Sequence, residues 1–423
     1  MSVPAFENER LTPNRIPAAR YRSAEWRQLE SERLWPSVWQ FACTVDCIPE
    51  PGDWFEYKLG DLSAILVRAE DGVVRGFQNA CRHRGNILLE GSGRGLEGIR
   101  CDYHHWCYDL QGRRGSRPGP LDLLPVRTGI WSGLIYVNWD PGAQSLEDFL
   151  GVLPQELSWA GMERYTCQYA VTVAVDCNWK LIMDAFNEAY HIHAVHPQLL
   201  PLADDVNLPI RLLGEHSTFE QTFALASPRL QHDDAAMWRA FQQNVNHRLG
   251  AAYASPASAE TVPPIPAGQT LKDVLLSMLR VHLKEIGDPY PVLDDRRLMN
   301  DFHYYVFPNM IVNVFAGWFG IVRARPGAQP GTAYLDMWNF DFLRADHPKA
   351  HCRPEMVTLS PDQTEPLGLV VNQDLKLLPR IQKGLSQPGV KELTLVAAEA
   401  RIGHMHRVLD KYLGTSVAAE LGG

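Results

Sequence analysis

Two groups of side chains in this sequence have the types and spacing to hold metal. In the first, Cys81-Arg82-His83 is followed, after 17 intervening residues, by Cys101-Asp102-Tyr103-His104. Thiolate and imidazole are both metal ligands, and two Cys-plus-His pairs on tight turns present two of each at one point. Structural zinc is one occupant of such a set. A zinc finger, however, separates its Cys pair from its His pair, whereas each half here supplies one of each. A Rieske [2Fe-2S] cluster divides its ligands that way, with two thiolates on one iron and two imidazoles on the other. Cys81 and Cys101 are then expected on one iron, and His83 and His104 on the other. Neutral imidazoles make such a cluster less negative, so it accepts electrons more readily than an all-cysteine cluster. His105 and Cys107 lie just beyond the second half and read as packing or supporting residues.

The second group lies in NWKLIMDAFNEAYHIHAVH, residues 178–196, a helical pattern that ends in His191, His193 and His196. Two histidines and one carboxylate on one face hold non-haem Fe(II) and leave the opposite positions open for O2 and substrate. His193 and His196 are three apart and share a helix face. His191 and His196 are five apart, about 140° around a regular helix, so that pair demands a bulge or a helix end. Spacing alone leaves the choice open. For the carboxylate, Asp362, Glu365 and Asp374 all qualify by composition. Asp374 has apolar neighbours in Val370, Val371, Leu375 and Leu378, which favours a buried role. Gly93-Arg94-Gly95-Leu96-Glu97-Gly98 fits the dinucleotide motif G-x-G-x-x-G but leads into IRCDYHHW and not into a helix, so it is set aside. With no other NAD or flavin signature, electrons are expected from another protein.

Taken together, C-x-H-x17-C-x2-H, N-W-K, E-x-Y-H-x4-H, N-Q-D and Q-x-G-L make the chain resemble the α (oxygenase) subunit of the Rieske non-haem iron oxygenases, the ring-hydroxylating dioxygenase superfamily. The resemblance covers nearly the whole sequence. It implies that H-x4-H supplies the iron ligands, hence His191 and His196 with His193 as bystander, and that Asp374 is the third ligand. It also implies a role for Glu188, which would link His191 to His104 of the partner subunit. Many members carry Asp there; a branch with Glu demethylates or cleaves quaternary ammonium compounds. The chain has C-D-Y-H-H-W where the family often shows C-P-Y-H-G-W, so Asp102 and His105 depart from the pattern without replacing a ligand. Trp106 and Tyr108 match aromatic positions expected to pack around the cluster.

The resemblance further implies a [2Fe-2S] cluster and a mononuclear Fe(II). An NAD(P)H-dependent reductase, with or without a ferredoxin, would supply electrons to a head-to-tail homotrimer that either has or lacks a β subunit. The first expected activity is hydroxylation of an aromatic or polycyclic apolar substrate. The alternative is oxidative demethylation or cleavage of a quaternary ammonium or methoxy compound, and a Rieske electron carrier without oxygen chemistry is the minor one. Phe307, Met310, Val314, Phe315, Trp318 and Phe319 are candidates to line an apolar pocket, or to hold a cation by its ring faces, although core packing explains them as well.

The elements that must position these residues follow from patterning. YRSAEWRQLESERLWP, residues 21–36, has helical spacing and stops at Pro36. Short strand-like runs then alternate with PGD, EDG and GSG turns to about residue 140. Beyond them, helices are expected at 179–193, 271–286 and 391–413, with strands at 303–323 and 332–344. The fold class is α+β: residues 1–40 as a helical segment packing on the catalytic domain, an all-β Rieske domain over 41–155, and an α+β catalytic domain over 156–423. Residues 226–270, rich in Ala, Ser, Pro and Gln, are expected to be a loop or lid.

Composition narrows the setting. The 423 residues are 45% apolar and 21% charged, ample for packed cores, and the net charge of −9 without a basic run argues against nucleic acid. Eight cysteines are too few for a disulfide framework, and the charged N-terminus has no apolar signal segment, so a cytoplasmic location is expected. Tyr304 to Val322 is 19 residues without a charge, but Pro308, Asn309, Asn313, Gly317 and Gly320 fit two buried strands better than a membrane span.

Overall fold

Turn chemistry divides the first third of the chain into strands. Corners at Pro51-Gly52, Gly60-Asp61, Asp71-Gly72 and Ser132-Gly133, each glycine at positive φ, fold residues 40–138 into a seven-stranded antiparallel sheet. The computed structural model describes residues 10–245, 261–287, 293–350 and 352–421. It comprises two units, one of residues 24–168 with 349–355 and the other of residues 1–23, 169–348 and 356–423.

In the smaller unit the strand order is 40–44, 134–138, 125–131, 74–78, 62–68, 54–59 and 92–93. Ile99–Arg100 and Cys107–Tyr108 form a separate short ladder, Ile99 opposite Tyr108. Ile65, Val67, Phe77, Leu88, Ile99, Tyr108 and Leu110 pack into one apolar cluster that includes Cys81 and Cys101. The sheet thereby fixes the base of both cysteine turns. Ser92–Gly93 is a strand pairing with Trp54 and Phe55, and no helix follows it, which disposes of the dinucleotide motif.

The larger unit is built on an eight-stranded sheet in the order 211–213, 216–221, 301–306, 310–315, 318–326, 333–342, 165–175 and 355–359. The uncharged stretch proves to be three strands and not two: the chain turns at 307–309 as well as at Gly317, whose φ of 82° suits a residue without a Cβ. Behind this sheet, Leu271–Ile286 forms the expected helix, capped by Thr270 and Asp273 and ended by Gly287. Asp233 caps an unexpected helix, Asp234–Asn244, inside the segment read as a loop. Met237, Trp238, Ala240 and Phe241 bury one face of it against Leu275 and Leu279, and that burial outweighs the polar composition around it. Residues 246–260 of the same expectation lie outside the described residues.

Two further departures matter for the site. The helix begun at Trp179 ends at Phe186, and a separate one-turn helix runs from Ile192 to Val195. The last expected helix starts only at Ala400, because Glu392–Val396 is a strand paired antiparallel with Leu11–Pro17. A local helical pattern gave way there to a partner more than 370 residues away in sequence. Among the described residues no helix is long and apolar enough to cross a membrane.

Candidate metal centres and the cavity beside them

The two cysteine turns are built alike. The Gly85 N–H donates to Cys81 O at 2.9 Å and the Cys81 N–H to Asn86 O at 2.8 Å; in the second turn the His105 N–H donates to Cys101 O at 2.9 Å and the Cys101 N–H to Trp106 O at 2.8 Å. The residue four beyond each cysteine has positive φ, 74° at Gly85 and 54° at His105. His105 therefore stands where the geometry favours glycine, which is the physical meaning of the C-D-Y-H-H-W departure. Each turn buries its cysteine, with Cys81 3% and Cys101 2% exposed, and leaves His83 and His104 at the surface. The two imidazoles meet edge-on with ring centroids 4.6 Å apart, and Trp106 stacks on His83 at 4.7 Å.

Tyr108 does more than pack. Its oxygen accepts the Arg82 N–H at 3.0 Å, so its own proton is left for Cys81 Sγ at 3.4 Å. Burial raises the Cys81 thiol, but the Tyr108 bond, backbone N–H groups and Cys101 outweigh it and lower it overall. Tyr108 in turn is pushed up to about 12, first by burial and then by Cys81. Two thiols inside and two imidazoles outside suit a cluster that divides its ligands between a buried and an exposed iron.

In the larger unit the break after Phe186 solves the five-residue spacing. His191 is the N-cap and His196 the C-cap of the one-turn helix 192–195, so the two rings swing together with centroids 5.0 Å apart. Asp374 comes from the helix Gly368–Leu385, where Val371, Asp374, Leu378, Gln382 and Leu385 make one buried face at three- and four-residue spacing. Ligand atoms of His191, His196 and Asp374 lie within 4.8 Å of one another. Asp362 and Glu365 are not in that group, and His193 turns away, its Nδ1 2.6 Å from Tyr190 O.

The surroundings fix both ring tautomers. Glu188 Oε1 lies 2.5 Å from His191 Nδ1, and its Oε2 accepts the His191 backbone N–H at 3.0 Å. Gln373 Oε1 lies 2.7 Å from His196 Nδ1. With both Nδ1 atoms donating, both Nε2 lone pairs face Asp374 Oδ1, at 3.6 Å from His191 and 3.1 Å from His196. His196 Nε2 is buried without a hydrogen-bond partner. Two lone pairs and a carboxylate oxygen converging in a buried place repel one another unless a cation lies among them, so the residues fit a metal ion. His191 shows the same field: burial lowers it, but Glu188 and Asp374 outweigh burial and raise it.

A cavity of about 330 Å³ opens beside this cluster, walled by His191 and Asp374, by Asp184, Glu188 and Glu399, and otherwise mainly by Leu, Ile, Val and Ala side chains. Among the described residues its wall includes no lysine or arginine. Burial pushes Asp184 up to about 8 and Glu399 up to about 7. Sequence reasoning missed Gln373, Asp184 and Glu399. Only Gln373 had a signal, its place in N-Q-D next to Asp374. Phe307, Met310, Val314, Phe315, Trp318 and Phe319 do not line this cavity; they sit in or against the sheet, all but half-buried Trp318 fully buried.

Comparison with known proteins agrees with this geometry. Residues 38–125 match the Rieske [2Fe-2S] domain, and residues 158–222 and 279–415 match the catalytic domain of the ring hydroxylating alpha subunit. The carnitine monooxygenase oxygenase subunit of Escherichia coli K12 is 30% identical over 228 residues, 51% of this chain and 60% of its own length. The glycine betaine monooxygenase oxygenase subunit of Chromohalobacter salexigens is 27% identical over 201 residues, 45% of each. The chain thus spans only about half of the length of the curated relatives it matches. A solved quaternary ammonium Rieske monooxygenase shares the fold at TM-score 0.66 and 17% identity, over 97% of this chain and 100% of the other. With a Rieske domain followed by this catalytic domain, the chain belongs to the Rieske oxygenase α subunits, whose cofactors are a [2Fe-2S] cluster and a mononuclear iron.

Proposed function

We propose that the chain is a terminal oxygenase component that oxidatively demethylates or cleaves a quaternary ammonium compound. In this reading Cys81, His83, Cys101 and His104, within residues 41–155, hold the cluster. His191, His196 and Asp374, within 156–423, hold Fe(II), and Glu188 orients His191 and couples the two centres across a homotrimer interface. Electrons come from an NAD(P)H-dependent reductase, with or without a ferredoxin. Eight cysteines without a disulfide support a reducing, cytoplasmic setting.

The observation that carries the substrate class is the cavity. A quaternary ammonium has charge but no N–H, so it is held by Coulomb attraction to nearby carboxylates and by methyl groups packed on aliphatic walls. Glu188, joined by Glu399 when it is ionised, supplies the first and the leucine and isoleucine lining the second. The carnitine and glycine betaine relatives point the same way. Hydroxylation of an apolar ring is less well supported, because the aromatic strand residues that suggested it are spent on the core.

Iron, when bound, supplies O2 activation; the protein supplies placement. Hydroxylating a carbon next to nitrogen consumes O2, two electrons and two protons and releases water, after which the C–N bond parts to amine and aldehyde. Glu188 and Glu399 fix the cation so that this carbon faces the cluster of ligands. The test is an EPR titration of anaerobic, reduced protein with nitric oxide as O2 surrogate. Trimethylammonium compounds are expected to reshape a nitrosyl-iron signal that is absent in Asp374→Ala, while naphthalene-like rings leave it unchanged. A response to the rings alone overturns the substrate class, and a wild-type protein with only the Rieske signal overturns the oxygenase reading.

A further inference from the structure

The cavity wall holds a carboxyl group whose hydrogen bonds are fixed from behind. Asp184 Oδ2 lies 2.7 Å from Tyr21 Oη, and Tyr21 Oη lies 2.8 Å from His406 Nε2. On the far side of that ring, His406 Nδ1 faces Arg20 Nη1 at 3.4 Å. A guanidinium only donates, so Nδ1 carries the lone pair and the ring proton sits on Nε2. His406 Nε2–H then donates to Tyr21, whose single proton is left to donate to Asp184 Oδ2. Arg20 is itself held by Asp410 and Glu420, each at 2.5 Å, so the chain of donors has one direction, and it ends at Asp184.

Because Oδ2 is committed as acceptor, a proton on Asp184 must sit on Oδ1. That atom is buried and without a hydrogen-bond partner, on a residue that lines the cavity beside His191 and Asp374. Of the wall carboxylates other than Asp374, Glu188 spends both oxygens on His191, and Glu399 gives Oε2 to the Val396 N–H at 2.7 Å. We propose that Asp184 is a proton donor of the oxygenase reaction, a catalytic residue that Tyr21 and His406 hold with its Oδ1–H free for the cavity. The inference rests on the oxygenase reading and adds a source for one of the two protons that O2 reduction consumes. The Asp184 O–H bond breaks, an O–H bond forms on the reduced oxygen, and the carboxylate takes a replacement proton from the solvent side, where half-buried Glu399 stands.

The electrostatics are consistent with a carboxyl that keeps its proton near neutral pH. The groups that act on Asp184 are Tyr21 from the N-terminal segment, Lys180 one turn back on its own helix, Glu188 beyond its end, and Glu399 from the C-terminal segment. Burial outweighs the Tyr21 bond and Lys180, and the two glutamates add to it. Burial, with Arg20 and Lys180, keeps His406 neutral, as the donor chain requires.

The test is infrared difference spectroscopy on the full chain carrying both metal centres, titrated in pH, with Asp184→Asn and Tyr21→Phe. Wild type is expected to show a protonated carboxyl band that disappears as pH rises through about 8. Asp184→Asn should lack that band and Tyr21→Phe should shift it. Asp184→Asn keeps the Tyr21 bond and should retain iron, yet form product on the order of 100-fold more slowly, with O2 consumed without product. Absence of the band in wild type, or product formation by Asp184→Asn at the wild-type rate, overturns the proposal. A wild-type protein that takes up no O2 with any substrate overturns the oxygenase reading instead, while the band still reports where the proton is held.

Discussion

His105 shows how a single residue departs from its site's own geometry. Its φ of 54° matches the turn position that Gly85 fills at 74° in the other half of the cluster site. Left-handed backbone costs a residue with a Cβ on the order of 1 kcal/mol, so His105→Gly should raise stability by about that amount and Gly85→Ala should lower it similarly. Denaturant midpoints of the cluster-loaded protein, followed by its visible absorption, check this; a lowered midpoint for His105→Gly would mean that the imidazole contributes more than the backbone strain costs. At this scale much of the site could be read from sequence. Cys81, His83, Cys101 and His104 are close in sequence, so spacing carried their geometry. Asp374 was one of three candidates by composition and needed the family resemblance to be chosen. Tyr21 and His406 carry no signal at all, since they lie 163 residues before and 222 residues after Asp184 and nothing local marks them.

Elements decide how rigidly those residues are held. Asp336 lies on strand 333–342 directly opposite Arg323, bonded to Arg323 Nε at 2.8 Å and Arg325 Nε at 2.6 Å, and it accepts the Thr172 hydroxyl at 2.7 Å from the next strand. One carboxylate thus ties three neighbouring strands of the sheet. Burial raises it, but Arg325 and Arg323 outweigh burial and hold it far below the ordinary carboxylate value. A depressed folded pKa gives stability that is complete above the unfolded value of about 3.9 and is lost as pH falls below it. Asp336→Asn removes the charge that both arginines face and should cost about 3 kcal/mol at pH 7, with the gap to wild type narrowing towards pH 3. Urea midpoints at both pH values test it, and an unchanged gap would refute the linkage. Patterning revealed elements with strong local signals, such as Leu271–Ile286 with its Thr270 cap and Gly287 stop. It failed at Glu392–Val396, where pairing with Leu11–Pro17 overrides helical spacing, and at Asp234–Asn244, where burial of Trp238 and Phe241 overrides polar surroundings.

For the molecule as a whole, that terminal pairing closes the larger unit. Leu11 lies opposite Val396 and Pro17 opposite Glu392, the Ala18 N–H reaches Lys391 O at 2.8 Å, and Leu393, Thr394 and Leu395 then line the cavity. Deleting residues 1–17 should leave that wall strand without its partner, lower the melting temperature and reduce mononuclear iron content, while the cluster's absorption persists. Iron analysis and a thermal melt decide it; full iron at an unchanged melting temperature would show the pairing to be dispensable. The two-unit division was partly visible as a change in composition near residue 150, and residues 1–40 were expected as a helical segment against the catalytic domain; that 11–17 join the later unit as a strand was not visible, because only long-range pairing creates it. That pairing also sets an order of events during synthesis. The smaller unit is almost continuous in sequence and can be completed while the ribosome is still working on the rest. The strand 11–17 emerges before the rest of the larger unit, yet its mate follows about 380 residues later, roughly 20 to 80 s at ordinary elongation rates. Through that interval the nascent chain carries an open strand edge, a natural place for a chaperone to bind and for two nascent chains to associate wrongly.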